Sequence, residues 1–140
     1  MAILIGLDLG EKRVGVAIAD ERTSLATPLA TIEVRGRRQL ADELKKIIAE
    51  HHVEKIVVGL PYTLKGEMGP QAEKIMGEVE ALKQQIDSEW LMWDERLSTL
   101  EVERMLVSAD VSRQKRKEVR DKLAAQRILQ NYLDFLRSHS

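Results

Sequence analysis

The feature that most constrains the fold is a pair of apolar runs at the N-terminus, separated by a short turn. The first run covers Ala2–Leu9 and the second covers Val14–Ala19, and both have the length of buried strands. Gly10, Glu11 and Lys12 supply the turn between them. Two strands joined this closely run antiparallel, so the chain is predicted to begin with a β-hairpin.

Strand and helix patterns alternate after the hairpin. A weaker strand pattern from Ser24 to Val34 would extend the sheet at one edge. The later segments are a helix after Gly36 that ends near His51, a strand over Lys55–Leu60, a helix from Pro70 to about Asp87, a strand over Trp90–Trp93 and a helix from Ser98. The polar, basic stretch SADVSRQKRKEVRD is expected to be a mobile loop that runs into the last helix, whose buried stripe begins at Val119. This order predicts one α/β domain over residues 1–140, with a mixed sheet flanked by helices.

Composition limits the kind of partner that the chain can bind. The 22 Lys and Arg residues nearly balance 23 Asp and Glu residues, and a net charge of -1 gives no general attraction to nucleic acid or to an anionic membrane. An anionic ligand must therefore be bound by a local basic patch. The sequence has no cysteine, which excludes disulfides and thiolate chemistry, and no apolar run of membrane-spanning length. We expect a cytoplasmic protein with no membrane partner.

Three acidic sites lie beside apolar residues instead of on an exposed helix face. Asp8 interrupts the first strand, Asp94 and Glu95 follow the strand WLMW, and Asp121 lies early in the last helix. Two alanines that follow Asp121 on its helix face would let that helix approach the sheet closely. Buried carboxylates are costly when unpaired, but converging carboxylates can hold Mg²⁺ or Mn²⁺. The simpler interpretations are solvated strand ends for Asp8 and Asp94, an ion pair with Arg96 for Glu95, and helix-dipole stabilisation for Asp121.

The hairpin has a second interpretation. Asp8-x-Gly10 followed by Gly15 resembles the hairpin that binds nucleotide phosphates in the actin, sugar-kinase and heat-shock ATPase superfamily. Proteins of that superfamily hold the nucleotide between two α/β domains, whereas this chain supplies one. Its length therefore disfavours ATPase or phosphotransferase chemistry.

A series of motifs covers nearly the whole chain, from Leu4 to Asp134: GLDLGEKRVGVAIAD, IVVGLP with GEMGPQAEK, DERLST and DKLAAQRILQNYLD. Together and in this order they resemble the YqgF (RuvX) family, whose members are described as pre-16S rRNA nucleases or Holliday-junction-resolvase-like proteins. The DERLST and GLP motifs are far more specific than the hairpin alone. The resemblance implies an RNase H-like fold, with which the element order above agrees, and a divalent-metal nuclease site.

The resemblance also implies which residues form that site. Transferred residue by residue, the catalytic and metal-binding carboxylates are Asp8, Glu95 and Asp121, with Asp94 in reserve for the second position. They would bind Mg²⁺ or Mn²⁺ and support hydrolysis of a phosphodiester bond by a two-metal-type mechanism.

Basic residues near these acids are candidates for contacts to phosphate. The densest basic run, Arg113–Lys122, includes Asp121, although a solvated charged loop is the simpler interpretation of such a run. We expect nucleic-acid contacts that do not read base sequence from Lys12, Arg13, Arg96, Arg113, Lys115, Arg116, Lys117 and Arg120.

Two classes of function are open on the sequence. The first is a nuclease that acts on structured RNA, with maturation of the 5′ end of pre-16S rRNA as its cellular setting. Its DNA version would resolve four-way junctions, which favours a symmetric dimer, and the sequence leaves monomer or homodimer open. The second class is a non-catalytic module that binds nucleic acid. The presence of Asp8, Glu95 and Asp121 together favours catalysis.

Overall fold

The computed structural model describes residues 2–61, 69–94 and 113–138, and within the last range it describes the side chains of residues 121–137. Its strands are β1 (Ile3–Leu9), β2 (Arg13–Asp20), β3 (Leu25–Glu33), β4 (Val53–Leu60) and β5 (Glu89–Asp94), and its helices are α1 (Arg37–His51), α2 (Pro70–Lys83) and α3 (Arg113–Ser138). The helix predicted from Ser98 lies outside the described residues.

The described strands form a five-stranded mixed sheet in the order β3-β2-β1-β4-β5. β1, β2 and β3 pair antiparallel as a meander, whereas β4 pairs parallel with both β1 and β5. The predicted hairpin, the edge position of the third strand and the mixed sheet are therefore confirmed. The helices cover both faces, with α1 and α2 on one face and α3 on the other.

Alternation along β1 divides its side chains between the two faces. Ile5, Leu7 and Leu9 belong to the core under α1 and α2. The residues between them, Gly6 and Asp8, point towards α3. Asp8 thus belongs to the α3 face, at the end of the strand that lies next to the hairpin turn.

The core on the α1 and α2 face consists of large aliphatic side chains. Leu44 of α1, Leu82 of α2 and Ile56 of β4 are fully buried there. Burial of such side chains contributes about 1.5–3 kcal/mol each. This face therefore supplies much of the stability that holds the strands in register.

The α3 face is built from smaller residues. A Cβ atom on Gly6 would lie 2.8 Å from Leu129 Cβ and 2.9 Å from the carbonyl oxygen of Ala125, so only glycine lets α3 approach this closely. The close approach predicted from the alanines after Asp121 is confirmed. Gln130 of α3 also accepts a hydrogen bond of 2.9 Å from the backbone N–H of Ala26 in the edge strand β3.

Two predictions about helix bounds were wrong. The first five residues of the mobile loop predicted to run into the last helix, 108–112, lie outside the described residues. From Arg113 onwards that stretch is helical, because its Arg, Lys, Gln and Glu residues are good helix formers and the buried residues downstream anchor the helix. Helix α2 ends at Lys83 instead of near Asp87, although Ile86 remains buried in the core. In the described ranges, no helix is long and apolar enough to cross a membrane.

Candidate active site

Gly15 brings Asp8 and Asp121 together. Asp8 and Gly15 are direct partners across the β1–β2 ladder, and directly opposed residues of antiparallel strands share a face. A Cβ atom on Gly15 would overlap the backbone carbonyl of Asp121. The backbone of α3 therefore packs directly on the strand position opposite Asp8. Two of the three predicted carboxylates, 113 positions apart in numbering, meet on one face of the sheet.

An arginine lies beside this carboxylate pair. The Nε–H group of Arg13 donates a hydrogen bond of 2.8 Å to Oδ2 of Asp121, and the two side chains are 26% and 15% exposed. Asp121 is more than two turns into α3, too far from the first turn for the helix dipole to account for it. A cation thus compensates a partly buried carboxylate, as its cost of burial requires.

Asp94 and Glu95 differ in what the structure describes of them. Asp94 ends β5 opposite Leu60, which is buried in the core under α1 and α2. Trp93, one residue earlier, packs with the α3 cluster, so alternation directs Asp94 away from that face. Glu95 lies outside the described residues. The structure therefore brings Asp8 and Asp121 together and leaves Asp94 on the opposite face.

The predicted phosphate contacts are distributed over two elements. Lys12 is exposed in the hairpin turn, and Arg13 opens β2 and reaches Asp121. The backbone of Arg113, Lys115, Arg116, Lys117 and Arg120 is helical, so these residues precede Asp121 on one continuous helix; their side chains, and Arg96 as a whole, lie outside the described part.

The described donors suit a divalent cation. Carboxylate oxygens are the ligands that Mg²⁺ and Mn²⁺ prefer, and Asp8 and Asp121 provide two carboxylates on one face. The described residues contain no group of three such donors, and Glu95 is the third predicted ligand. The donor set therefore fits the expected metal.

A cavity lies on the face of the sheet opposite the carboxylate pair. Its volume is about 500 Å³, and the pairs Glu11–Lys74 and Arg37–Glu78 are in its lining. The hydrogen bond from Lys74 holds the pKa of Glu11 below its usual value. Neither Asp8 nor Asp121 is part of the described lining, so this cavity is separate from the carboxylate pair.

Sequence comparison decides the family. The profile of the RuvX family, described as Holliday junction resolvase, matches residues 2–135. A protein of Bacillus cytotoxicus is 47% identical over 133 residues, which cover 94% of this chain and 97% of that protein. A protein of Clostridioides difficile is 49% identical over 132 residues, which cover 94% of each chain. Both carry the name "Putative pre-16S rRNA nuclease".

The chain belongs to the RuvX family. The family expected from the motif series is thus confirmed. Among solved structures, RuvC of Thermus thermophilus in complex with a Holliday junction substrate superposes with a TM-score of 0.57 at 13% identity, covering 99% of this chain and 96% of RuvC. The fowlpox virus resolvase gives a TM-score of 0.56 at 12% identity, covering 96% and 98%. These likenesses confirm the expected RNase H-like fold for this RuvX chain.

Two features of the RuvX site were missed from the sequence. The first is the role of Gly15, although a glycine inside an apolar strand is a known signal of close backbone approach. The second is the Arg13–Asp121 ion pair, which joins residues 108 positions apart. Sequence spacing gives no signal for a contact at that separation.

Proposed function

We propose that this RuvX chain is a metal-dependent nuclease that cleaves structured RNA and matures the 5′ end of pre-16S rRNA in the cytoplasm. Its family and the names of its relatives support a nuclease. The observation that carries the proposal is the packing of Asp121 against the strand position opposite Asp8, which places two distant carboxylates on one face.

Asp8, Asp121 and Glu95 would hold Mg²⁺ or Mn²⁺. Such ions neutralise charge on the phosphate and lower the pKa of water, which makes it a nucleophile near neutral pH. The elements that carry Asp8 and Asp121 fix the positions of these two carboxylates. Asp8 is held by a central strand that is paired on both sides, and Asp121 by a helix that only Gly6 and Gly15 allow to lie so close.

The basic residues would bind the substrate. Lys12 and Arg13 flank the carboxylates on the hairpin, and the Arg113–Arg120 run precedes Asp121 on α3. Positive charge from these two elements would bind phosphates of the substrate close to the carboxylates. Contacts of this kind give affinity without base specificity, which fits recognition of RNA shape.

A second candidate substrate is a four-way DNA junction, because the matched family is described as Holliday junction resolvase. Resolution needs two symmetric cuts, and a homodimer would supply them. We favour RNA because the curated relatives carry the rRNA nuclease name.

The test is cleavage of labelled pre-16S 5′-end RNA and of a labelled four-way DNA junction in Mg²⁺, Mn²⁺ or EDTA. The enzymes are wild type, Asp8→Asn, and Asp42→Asn as a matched change at an exposed position of α1. We expect metal-dependent cleavage of RNA by wild type and Asp42→Asn, and its loss in Asp8→Asn. Cleavage of the junction alone would replace RNA by DNA as the substrate. Binding without cleavage under every metal condition would contradict a nuclease and indicate a binding module.

A further inference from the structure

We propose that Lys12, Arg35 and Arg38 form a second phosphate-binding surface, here called the cationic ridge, which binds the nucleic-acid backbone where it leaves the active site. This inference rests on the proposed function, because the ligand of the ridge would be the nucleic acid that the nuclease cleaves. It extends the contacts predicted from the sequence to the start of α1, where neither Arg35 nor Arg38 was expected to act.

The ridge adjoins the carboxylate pair through the β2–β3 ladder. Arg13, which reaches Asp121, is the direct partner of Glu33 on β3. The next residue, Val34, donates its N–H to the carbonyl of Lys12 at 2.8 Å and so continues the ladder into the turn. Arg35 follows at once. A backbone that passes from the carboxylates over the hairpin turn would therefore meet the ridge next.

Gln39 holds this segment in a fixed shape. Its Oε1 accepts a hydrogen bond of 2.8 Å from the N–H of Arg35, and its Nε2 donates one of 2.9 Å to the carbonyl of Glu33. Gly36 adopts φ 153°, a conformation that favours glycine, and nothing lies within 4 Å of the position that a Cβ atom would take. The arginine side chains are thus presented from an ordered backbone, and little chain entropy is lost when they bind phosphate.

Ion pairing separates the ridge from the other basic residues nearby. Arg13 is paired with Asp121, Arg37 with Glu78 and Lys74 with Glu11. Among the described residues, no carboxylate forms an ion pair with the three ridge side chains, all of which are exposed. The ridge therefore keeps most of its charge for a ligand. That charge is reduced by Glu33 and by Glu11, which precedes Lys12 and interacts with it electrostatically while it is paired with Lys74.

The presence of an arginine at position 38 is not explained by a contribution to the stability of α1. The first turn of α1 contains no acidic residue and carries two arginines, where the helix dipole disfavours cations. Arg37 gains an ion pair with α2 in return, whereas no described residue compensates Arg38 in this way. A charge placed at a local cost, on an ordered backbone that is hydrogen-bonded to the hairpin turn, is best explained by an anionic ligand.

The experiment measures binding of a structured RNA hairpin across a range of salt concentrations in EDTA, where no cleavage occurs. Arg35→Gln/Arg38→Gln is compared with Lys45→Gln/Lys46→Gln, which removes the same charge from exposed positions further along α1. Removal of one phosphate-binding charge should reduce the slope of log affinity against log salt by about 1, so the slope of the ridge variant should fall by about 2. The control should keep the wild-type slope.

A variant of opposite sign guards against loss of folding as an explanation. Glu33→Gln removes an acid beside the ridge and should strengthen RNA binding about two- to threefold, whereas Glu50→Gln, at the other end of α1, should leave it unchanged. Equal salt slopes for the two double variants, or no gain in Glu33→Gln, would overturn the ridge.

Cleavage by wild type in Mn²⁺ is scored on the same RNA. Cleavage with equal slopes would contradict the ridge and leave the nuclease intact. A ridge-dependent slope without cleavage would contradict the nuclease and leave the ridge intact.

Discussion

The two faces of the sheet have different roles, although alternate residues of the same strands form them. On the α1 and α2 face, β1 and β2 contribute large aliphatic side chains such as Leu7 and Val16. On the α3 face the neighbouring positions include Gly6, Asp8 and Gly15, which pack poorly by themselves and admit a helix at close range. The α1 and α2 face thus supplies stability. The α3 face contains fewer large apolar side chains, and this allows α3 to lie close enough to bring the carboxylates together.

Removal of a core side chain on the α1 and α2 face should lower the stability of the fold without changing the rate of cleavage. Leu44 is fully buried, so Leu44→Ala should lower the free energy of unfolding by about 3–5 kcal/mol. Because Leu44 lies on the face away from Asp8, cleavage per folded molecule should stay near the wild-type rate at low temperature. Urea denaturation and initial rates measure the two effects. A fall in rate without a fall in stability would contradict the division between the faces.

Gly15→Ala should disturb the packing of α3 on the sheet and with it the position of Asp121. The added methyl group would collide with the backbone of Asp121, which cannot move without α3, and we expect a cost of about 1–3 kcal/mol together with loss of cleavage.

Gly77→Ala is the matched control. Nothing lies within 4 Å of a Cβ at this helical position, so the change should raise stability by about 0.5–1 kcal/mol and leave the rate unchanged. Thermal melts and rates of both variants test the pair. Full activity in Gly15→Ala would show that the close approach of α3 is not needed.

These glycines show what sequence reasoning could and could not find. The hairpin, the edge strand β3, the first helix and the start of α2 at Pro70 followed from periodicity and turn residues, which act over short distances. The helix over 113–118 was missed because it lacks an apolar stripe and depends on packing further along α3. The partnership of Arg13 with Asp121 depends on how α3 crosses the sheet, which no local pattern encodes. The roles of Asp8, Glu95 and Asp121 stay predictions, as does the single-domain organisation.

Arg13→Gln should have a smaller effect on the α3 face, which is a change in ligand affinity. It removes a positive charge and a hydrogen bond from Asp121, so Mn²⁺ should bind severalfold more tightly, while RNA should bind more weakly through loss of a phosphate contact. Titration calorimetry with Mn²⁺ and fluorescence anisotropy with RNA measure the two effects. Weaker Mn²⁺ binding would show instead that Arg13 is needed to position Asp121.

The smallest effect is expected at the opposite end of the sheet. Glu21 and Lys55 form an ion pair of 2.9 Å, and the hydrogen bond from Lys55 lowers the pKa of Glu21 below 4.5. A lowered pKa means that the pair stabilises the fold above about pH 4.5 and that this contribution disappears as the pH falls through the folded-state pKa.

Glu21→Gln should therefore cost about 0.5–1 kcal/mol at pH 7 and little at pH 2, with cleavage unchanged. Urea denaturation at the two pH values checks this, with Glu80→Gln, which removes an exposed pair on α2, as the control. A loss of stability that is equal at both pH values would contradict the pKa shift.

The central claim is that Asp8 and Asp121 belong to one divalent-cation site on the α3 face. Its most direct test is Mn²⁺ binding, measured by calorimetry, in wild type, Asp8→Asn, Asp121→Asn and Asp94→Asn. We predict that the first two variants each bind Mn²⁺ at least tenfold more weakly than wild type, and that Asp94→Asn, whose side chain belongs to the opposite face, binds it normally. Unchanged binding in Asp8→Asn, or a loss confined to Asp94→Asn, would contradict the account.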